Sequence, residues 1–404
     1  MPKRAVLRAA MRMPRLGAWK FLLLGALLVA AFLIYLKLSQ DRGGSFQLRV
    51  KVPSSGQAFS TALEQTVGTP LREGHRVALL PNGAVFDTLV ADIGRARGSV
   101  HVEMYIWTKG AVSGRLIAAL ARRDQGVGCR ILLDAVGSIS RGDEVDQGLR
   151  QAGCELRLFR AHQAPTARNH RKLAIVDGRV GFTGGFGVDD RWAGDAEDEQ
   201  HWRDTSVRVE GPAVTQMQNA FAEDWQEAGG DLIPAGEFPK LPEAGGVRAA
   251  FVRSTASPVV TRAERLTQLA IDAAHLRLWI ANAYFVPGQP VLDLLADRAG
   301  ERVDVRVLVP GRKSDSMLAF LWQQREYGPL QKRGVRVWEY APSMMHAKTM
   351  AIDSTLAIVG SVNLDPLSLD RLEEGALVIE DPATARELER LFEQDCARST
   401  LQPQ

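Results

Sequence analysis

Two histidines in this chain carry a lysine two residues on and an aspartate five residues beyond that. One run reads His170-Arg171-Lys172-Leu173-Ala174-Ile175-Val176-Asp177, the other His346-Ala347-Lys348-Thr349-Met350-Ala351-Ile352-Asp353. Both lie on apolar, β-rich backgrounds, and successive side chains of a strand point to opposite faces. His170 therefore shares a face with Lys172, and His346 with Lys348, so each imidazole sits beside a cation. Two imidazoles facing one phosphorus can split a displacement into two easier steps. One, neutral, attacks; the other, protonated, donates to the leaving alkoxide. An ordinary histidine pKa of roughly 6.5 needs only modest adjustment for those roles. The two ammonium groups then face the phosphoryl oxygens, where stabilisation counts most. This chemistry requires no metal or other cofactor, and the sequence shows no ligand cluster for one. By strand parity Asp177 and Asp353 complete the catalytic sets from the opposite face, holding the site rather than touching substrate.

A turn of small residues follows each run: Thr183-Gly184-Gly185 after the first and Gly360-Ser361-Val362-Asn363 after the second. H-x-K-x4-D followed by G-[SG]-x-N resembles the phospholipase D superfamily. Asn169-His170-Arg171-Lys172, Phe182-Thr183-Gly184-Gly185, Trp202-Arg203-Asp204 and Gly360-Ser361-Val362-Asn363-Leu364-Asp365 resemble bacterial cardiolipin synthases. The resemblance covers roughly residues 75–395. It implies that His170 is the nucleophile and His346 the acid and then the base, an order the near-symmetric motifs themselves leave open. It also implies that Ser361 and Asn363 bind the phosphate, and that Asp204 and Glu374 each brace a histidine. Two departures stand out. Gly187 occupies the place of the usual asparagine in the first half. Leu367 and Leu372 replace an arginine and an asparagine common in cardiolipin synthases.

Each half supplies one histidine, so the site must form where two similar domains meet. In the first half, residues 85–96, 111–123 and 213–225 have helical spacing, while 99–106, 129–134 and 154–159 read as strands. The second half repeats the series at 261–274, 276–285, 289–298, 303–309, 315–333 and 335–340. Strands alternating with helices predict an α/β fold: two phospholipase D-like domains, each a mostly parallel sheet flanked by helices, packed pseudo-symmetrically. The expected boundaries are 71–228 and 249–397 for the domains, 39–70 and 229–248 for Gly/Pro-rich linkers, and 398–404 for a tail. Met317, Leu318, Phe320, Leu321 and Trp322 read as a buried helix face rather than a lipid-facing lip. Cys129 and Cys154 fall in apolar runs and read as buried thiols.

Residues 1–20 hold six basic side chains and no acidic one, and residues 21–36 carry no charge. A spanning helix needs about 20 residues, and Trp19, Lys20, Tyr35 and Lys37 can extend this run at the interfaces. No A-x-A-type cleavage site follows, so residues 21–38 read as an uncleaved transmembrane anchor. The basic residues before it keep segment 1–20 in the cytoplasm and put the rest on the outer, periplasmic side of an inner membrane. Removing the seven basic residues of positions 1–37 from the net charge of +3 leaves positions 38–404 at −4. A soluble region of that sign is a poor binder of nucleic acid in bulk. The anchor, the charge and the resemblance together favour a membrane and a phospholipid as partners and no nucleic acid; phosphatidylglycerol is the lipid that the resemblance implies. The activity that the resemblance implies is phosphatidyl transfer from one phosphatidylglycerol to another. Hydrolysis to phosphatidate is the alternative, and a nuclease-like phosphodiesterase is a more distant one.

Overall fold

Each half of the protein begins with a strand, winds through two βα crossovers and then folds back on itself in hairpins. The structure, a computed structural model, describes residue 48 and residues 52–124, 126–160, 168–257 and 259–403. The basic segment 1–20 and the anchor 21–38 lie outside the described residues. Among those described, no helix is long and apolar enough to cross a membrane.

Helix α1 (Gly56–Val67) falls within the stretch expected as a linker. Phe59, Leu63 and Val67 recur at helical spacing and are buried with Leu266 and Leu269 of the second half. The first half then runs β1 (Arg72–Pro81), α2 (Ala84–Ile93), β2 (Ser99–Met104), α3 (Ala111–Arg122), β3 (Gly128–Asp134), α4 (Asp143–Gln151), β4 (Glu155–Phe159), β5 (Leu173–Val176), β6 (Val180–Gly184), β7 (Thr205–Glu210) and α5 (Ala213–Glu227). The second half repeats it: β8 (Val247–Ser254), α6 (Arg262–Asp272), β9 (Arg277–Asn282), α7 (Gln289–Gly300), β10 (Asp304–Pro310), α8 (Met317–Gln331), β11 (Arg336–Tyr340), β12 (Lys348–Ile352), β13 (Leu356–Gly360), α9 (Pro366–Asp370), β14 (Glu374–Glu380) and α10 (Pro382–Ala397). A last strand, β15 (Ser399–Leu401), pairs with β11, so the expected tail includes a sheet edge.

The fifteen strands of the described residues form one sheet, ordered β15-β11-β10-β9-β12-β13-β14-β8-β1-β7-β6-β5-β2-β3-β4. The two halves join through the antiparallel pair β1–β8. The sheet is mixed, not mostly parallel as expected. Only β2-β3-β4 and β9-β10-β11 run parallel. Those are the strands linked by helical crossovers, which parallel neighbours require. After β4 and β11 each half turns antiparallel, through the tight hairpins β5–β6 and β12–β13 and then the longer returns to β7 and β14. β5 turns into β6 at Asp177-Gly178, with φ of 57° and 61°, and β12 turns into β13 at Asp353-Ser354, with φ of 51° and 54°. Left-handed pairs of this kind favour Asp, Asn and Gly, and they suit tight hairpins.

One face of the sheet buries α2, α3 and α4 in the first half, and α1, α6, α7 and α8 in the second. The other face buries α5 and α10 in a core that draws on both halves. Cys129 and Cys154 are joined in a disulfide, not held as free thiols. Their strands are parallel neighbours in a register that sets Arg130 opposite Glu155, which brings the two preceding cysteines side by side. Nothing in the local sequence announces that adjacency. Helix α8 also departs from expectation: Phe320 is buried, but Met317, Leu318 and Leu321 are 59%, 52% and 50% exposed.

Candidate active site

The segment before each motif strand crosses to the other half. Asn169 bridges Glu373, and Arg203 bridges Met345. The His170 amide donates to the Glu373 carbonyl at 2.9 Å, and the His346 amide to the Arg203 carbonyl at 2.7 Å. The residue after each carbonyl is a carboxylate, so each histidine meets an acid from the opposite half. Glu374 Oε1 lies 2.8 Å from His170 Nδ1, and Asp204 Oδ2 lies 3.0 Å from His346 Nδ1. A carboxylate on Nδ1 fixes the imidazole's orientation and leaves Nε2 for chemistry.

The histidines are 6% and 4% exposed, and the two motif lysines are buried beside them. Lys172 Nζ donates to the His170 carbonyl at 2.6 Å. Lys348 Nζ donates to the His346 carbonyl at 2.5 Å and stands 3.1 Å from His346 Nε2. Burial with two cations makes further positive charge unfavourable. Burial pushes His170 below its ordinary pKa, against the pull of Glu374. Burial drives His346 well below, and Lys348, Lys172 and His170 add to the effect, so the imidazoles lie within electrostatic reach of one another. Burial likewise lowers Lys172 to about 7 and Lys348 to about 8, and raises Asp204 to about 6. A buried cationic cluster that resists its own charge is suited to an anionic group.

Asp177 and Asp353 do not join the histidines. They sit beyond the far ends of the motif strands, about 15 Å or more from the lysines at some 3.3 Å per residue. Asp177 accepts the backbone N–H groups of Arg97, Gly98 and Ser99, and Asp353 those of His275, Leu276 and Arg277. Both pin the start of the strand next to the motif strand. Ser361 donates to Glu374 Oε2, acting on the carboxylate that orients His170. The Asn363 side-chain oxygen is buried with no hydrogen-bond partner, an open polar valence at the site. At Gly187 a Cβ would lie 3.1 Å from both Ile106 Cβ and the Trp192 ring, so a side chain there would have to push its neighbours aside.

Several residues of the site escaped the sequence reading. Arg171, the variable position of the first motif, is fully buried. It donates to Asp224, to Glu373 at 2.9 Å, and to the carbonyls of Glu374 and Ser254 at 3.0 and 3.1 Å. An arginine inside an apolar strand was the available signal; Ala347 holds the place in the second motif. Tyr105 packs edge-on against His170, with ring centroids 4.9 Å apart. Trp192, Trp202 and Tyr284 surround His346 at centroid distances of 5.1, 5.2 and 6.4 Å. Where the sequence suggested no cluster of metal donors, Glu197, Asp198 and His201 lie together on the exposed loop before Trp202. His201 Nδ1 is already 2.8 Å from Asp198 there.

The family model described as cardiolipin synthase, PLD-like domain, matches residues 89–225 and 268–396, one match in each half. Cardiolipin synthase 1 of Bacillus anthracis is 32% identical over 377 residues, covering 89% of this chain and 74% of its own. Cardiolipin synthase A of Pseudomonas fluorescens (strain SBW25) is 33% identical over 352 residues, covering 85% and 73%. Among solved structures, phosphatidylserine synthase of Haemophilus influenzae Rd KW20 shares the fold, with a TM-score of 0.60 at 14% identity over 85% of this chain and 91% of that one. The doubled motif, the histidines held across the halves and these matches over most of the chain agree: the protein belongs to the cardiolipin synthase family of phospholipase D-like enzymes.

Proposed function

We propose that the protein transfers a phosphatidyl group from one phosphatidylglycerol to another, giving cardiolipin and glycerol. His170 Nε2 attacks the phosphorus of the first lipid. A P–N bond forms, the P–O bond to the headgroup glycerol breaks, and the leaving oxygen takes a proton from His346. A hydroxyl of the second lipid then gives its proton to His346 while its oxygen attacks phosphorus. The new P–O bond forms, and the P–N bond breaks with its electron pair returning to His170. The phosphodiester's own negative charge offsets Lys172 and Lys348 and so favours the imidazolium form of His346. Lys172, Lys348 and Asn363 serve the phosphoryl oxygens, while Glu374 and Asp204 orient the histidines.

The observation that carries this reading is the reciprocal bracing of His170 by Glu374 and of His346 by Asp204 in one buried, cationic site. The exposed Met317, Leu318 and Leu321 support a lipid substrate, since Asp315 two residues before them accepts the hydroxyl of Tyr284, which stands over His346. Residues 21–38 hold the enzyme to the inner membrane with its catalytic halves outside. The Cys129–Cys154 disulfide suits that oxidising compartment. Purified enzyme given phosphatidylglycerol in chelator-containing buffer should release glycerol and build cardiolipin, read by mass spectrometry. Phosphatidate as the sole lipid product would make the protein a hydrolase instead.

A further inference from the structure

Strand pairing gives the sheet a histidine edge and an opposite edge. β5 and β12 start beside the ends of β2 and β9, so His170 and His346 lie where β3, β8, β10 and β13 also end. Among the described residues ten large apolar side chains are exposed, and seven of them leave the sheet at this edge. Val136 and Ile139 follow β3, Val259 follows β8 and Leu367 follows β13; the other three are those of the α8 turn after β10. Single exposed apolar residues are ordinary, but a group gathered on one edge marks an interaction surface. The two larger groups are tied to the histidines in the same way. Ser138, between Val136 and Ile139, accepts the Trp107 amide at 3.0 Å and donates to the Tyr105 carbonyl at 2.9 Å, and Tyr105 packs against His170. Asp315, before the α8 turn, accepts the hydroxyl of Tyr284, which stands over His346. Each histidine thus has a tyrosine beside it and an apolar lip attached to that tyrosine. Behind the first lip Lys109 pairs with Glu144 and Arg141 with Asp146, so the acidic start of α4 is largely neutralised.

We propose that the histidine edge docks on a phospholipid bilayer through a lip on each half, with Val136 and Ile139 entering the same leaflet as Met317, Leu318 and Leu321. This rests on the phosphatidyl-transfer reading above, in which two lipids bring their phosphodiesters to nearly buried histidines while their acyl chains stay in the membrane. Lips on both halves hold the two histidines level over the headgroups; one lip alone would tilt the other half away. The path of the chain agrees. Helix α6 starts at the histidine edge, where the Thr261 hydroxyl donates to the Leu369 carbonyl and the Ala263 amide to Ser254 Oγ. It ends at the opposite edge, where Asp353 accepts the His275 amide. The Leu48 amide donates to Gln268 in the middle of α6, the Val52 carbonyl meets the His275 ring, and the Ser54 hydroxyl donates to Asp353. Leu48, Val52 and Ser54 therefore lie in that order away from the histidine edge. Half of this helix of 11 residues is about 8 Å long. The expected anchor ends ten residues before Leu48, a reach of at most about 35 Å. The bilayer that holds the anchor can therefore be the one beneath the histidine edge.

Leu276 provides the control: it is 69% exposed, yet its amide donates to Asp353 at the opposite edge. Full-length enzyme carrying Cys396→Ser, which removes the cysteine outside the disulfide, is reconstituted in phosphatidylglycerol vesicles. An environment-sensitive fluorophore is attached at Ile139→Cys, Leu318→Cys or Leu276→Cys in turn. The probes at 139 and 318 should shift to the blue and be quenched by spin-labelled lipid, and the probe at 276 should do neither. In parallel, Val136→Ser with Ile139→Ser should lower cardiolipin synthesis in vesicles severalfold and leave turnover of a monomeric short-chain phosphatidylglycerol near wild type. Leu276→Ser should change neither rate. A probe at 139 that stays in water while the one at 318 is quenched would overturn the first-half lip. Quenching at 276 in place of 139 would overturn the orientation. Quenching at 139 and 318 in an enzyme that makes phosphatidate alone would support the docking face and overturn only the transferase reading.

Discussion

Glu374 belongs to the second half of the molecule and His170 to the first, yet their side chains meet at 2.8 Å, and the backbone beside them is stitched by the His170 amide to the Glu373 carbonyl. Asp204 and His346 repeat the arrangement in the other direction. Neither half can orient its own histidine. Duplication alone would give two half-sites; the exchange of carboxylates makes them one site.

Replacing Glu374 with Gln should therefore lower turnover by about 10²–10⁴-fold, the range seen when a carboxylate that orients a histidine is neutralised. KM for phosphatidylglycerol should change little, because the carboxylate acts on His170 rather than on substrate. Asp204→Asn should do the same through His346. If His170 is the nucleophile, Asp204→Asn should let the His170–phosphatidyl adduct accumulate, detectable by mass spectrometry as a phosphatidyl mass increase on the protein after rapid quench. Accumulation in Glu374→Gln instead would reverse the order of the two histidines.

The histidine–lysine pairs were legible because strand periodicity and exact repetition are local properties of sequence. The antiparallel strands of each half were also written there, in Asp177-Gly178 and Asp353-Ser354, which take left-handed turn conformations. The helix–strand alternation upstream masked that signal, since it correctly marks β2-β3-β4 but carries no information about β5, β6 and β7. The motif aspartates owe their place to the same turns. Each turns the chain and, with its carboxylate, ties down the N–H groups of the neighbouring strand. What could not be read was any relation between distant segments: the pairing of Cys129 with Cys154, the exchange of Glu374 and Asp204, and Trp192 filling the space vacated at Gly187. These depend on register and packing, which no short window of residues contains.

The buried lysines make stability depend on pH in a definite direction. Lys172 titrates near 7 when folded, against an ordinary 10.5. Between those values the unfolded chain binds more protons, so this lysine makes the native state gain stability as pH rises from about 7 to 10.5. Below pH 7 its penalty is constant. Lys172→Met removes the effect, so the Tm difference between variant and wild type should move in the wild type's favour as pH climbs through that window. Inorganic phosphate, by supplying negative charge to the pocket, should flatten the wild-type slope and leave the variant's nearly unchanged. A Tm difference independent of pH would place the lysine in water rather than in the buried cluster.

The disulfide closes a loop with a sequence separation of 25, which corresponds to about 3.5 kcal/mol from the lost freedom of the unfolded chain. The Cys129→Ser, Cys154→Ser double variant should unfold at lower denaturant by that amount. It should keep its turnover while folded, because β3 and β4 lie at the far edge of the first half's sheet from β1. Reducing agent should shift the wild type to the variant's midpoint and leave the variant unmoved, read by denaturant titration of tryptophan fluorescence.

The exposed apolar turn of α8 separates a lipid in a bilayer from a lipid in solution. Met317, Leu318 and Leu321 project outward, with the exposed Arg312, Lys313 and Arg325 in the same segment. Basic residues near an anionic surface contribute about 1 kcal/mol each, and buried apolar side chains add to that. The phosphodiester must travel from the headgroup layer to histidines that are nearly closed off, while its acyl chains remain outside. Leu318→Ser with Leu321→Ser should therefore lower activity on phosphatidylglycerol vesicles severalfold. Activity on a short-chain phosphatidylglycerol dissolved as monomers should stay near wild type, because neither side chain touches the histidines. Equal losses on both substrates would assign the turn to packing around Asp315 and Tyr284; no loss on either would mean that the substrate reaches the site by another edge.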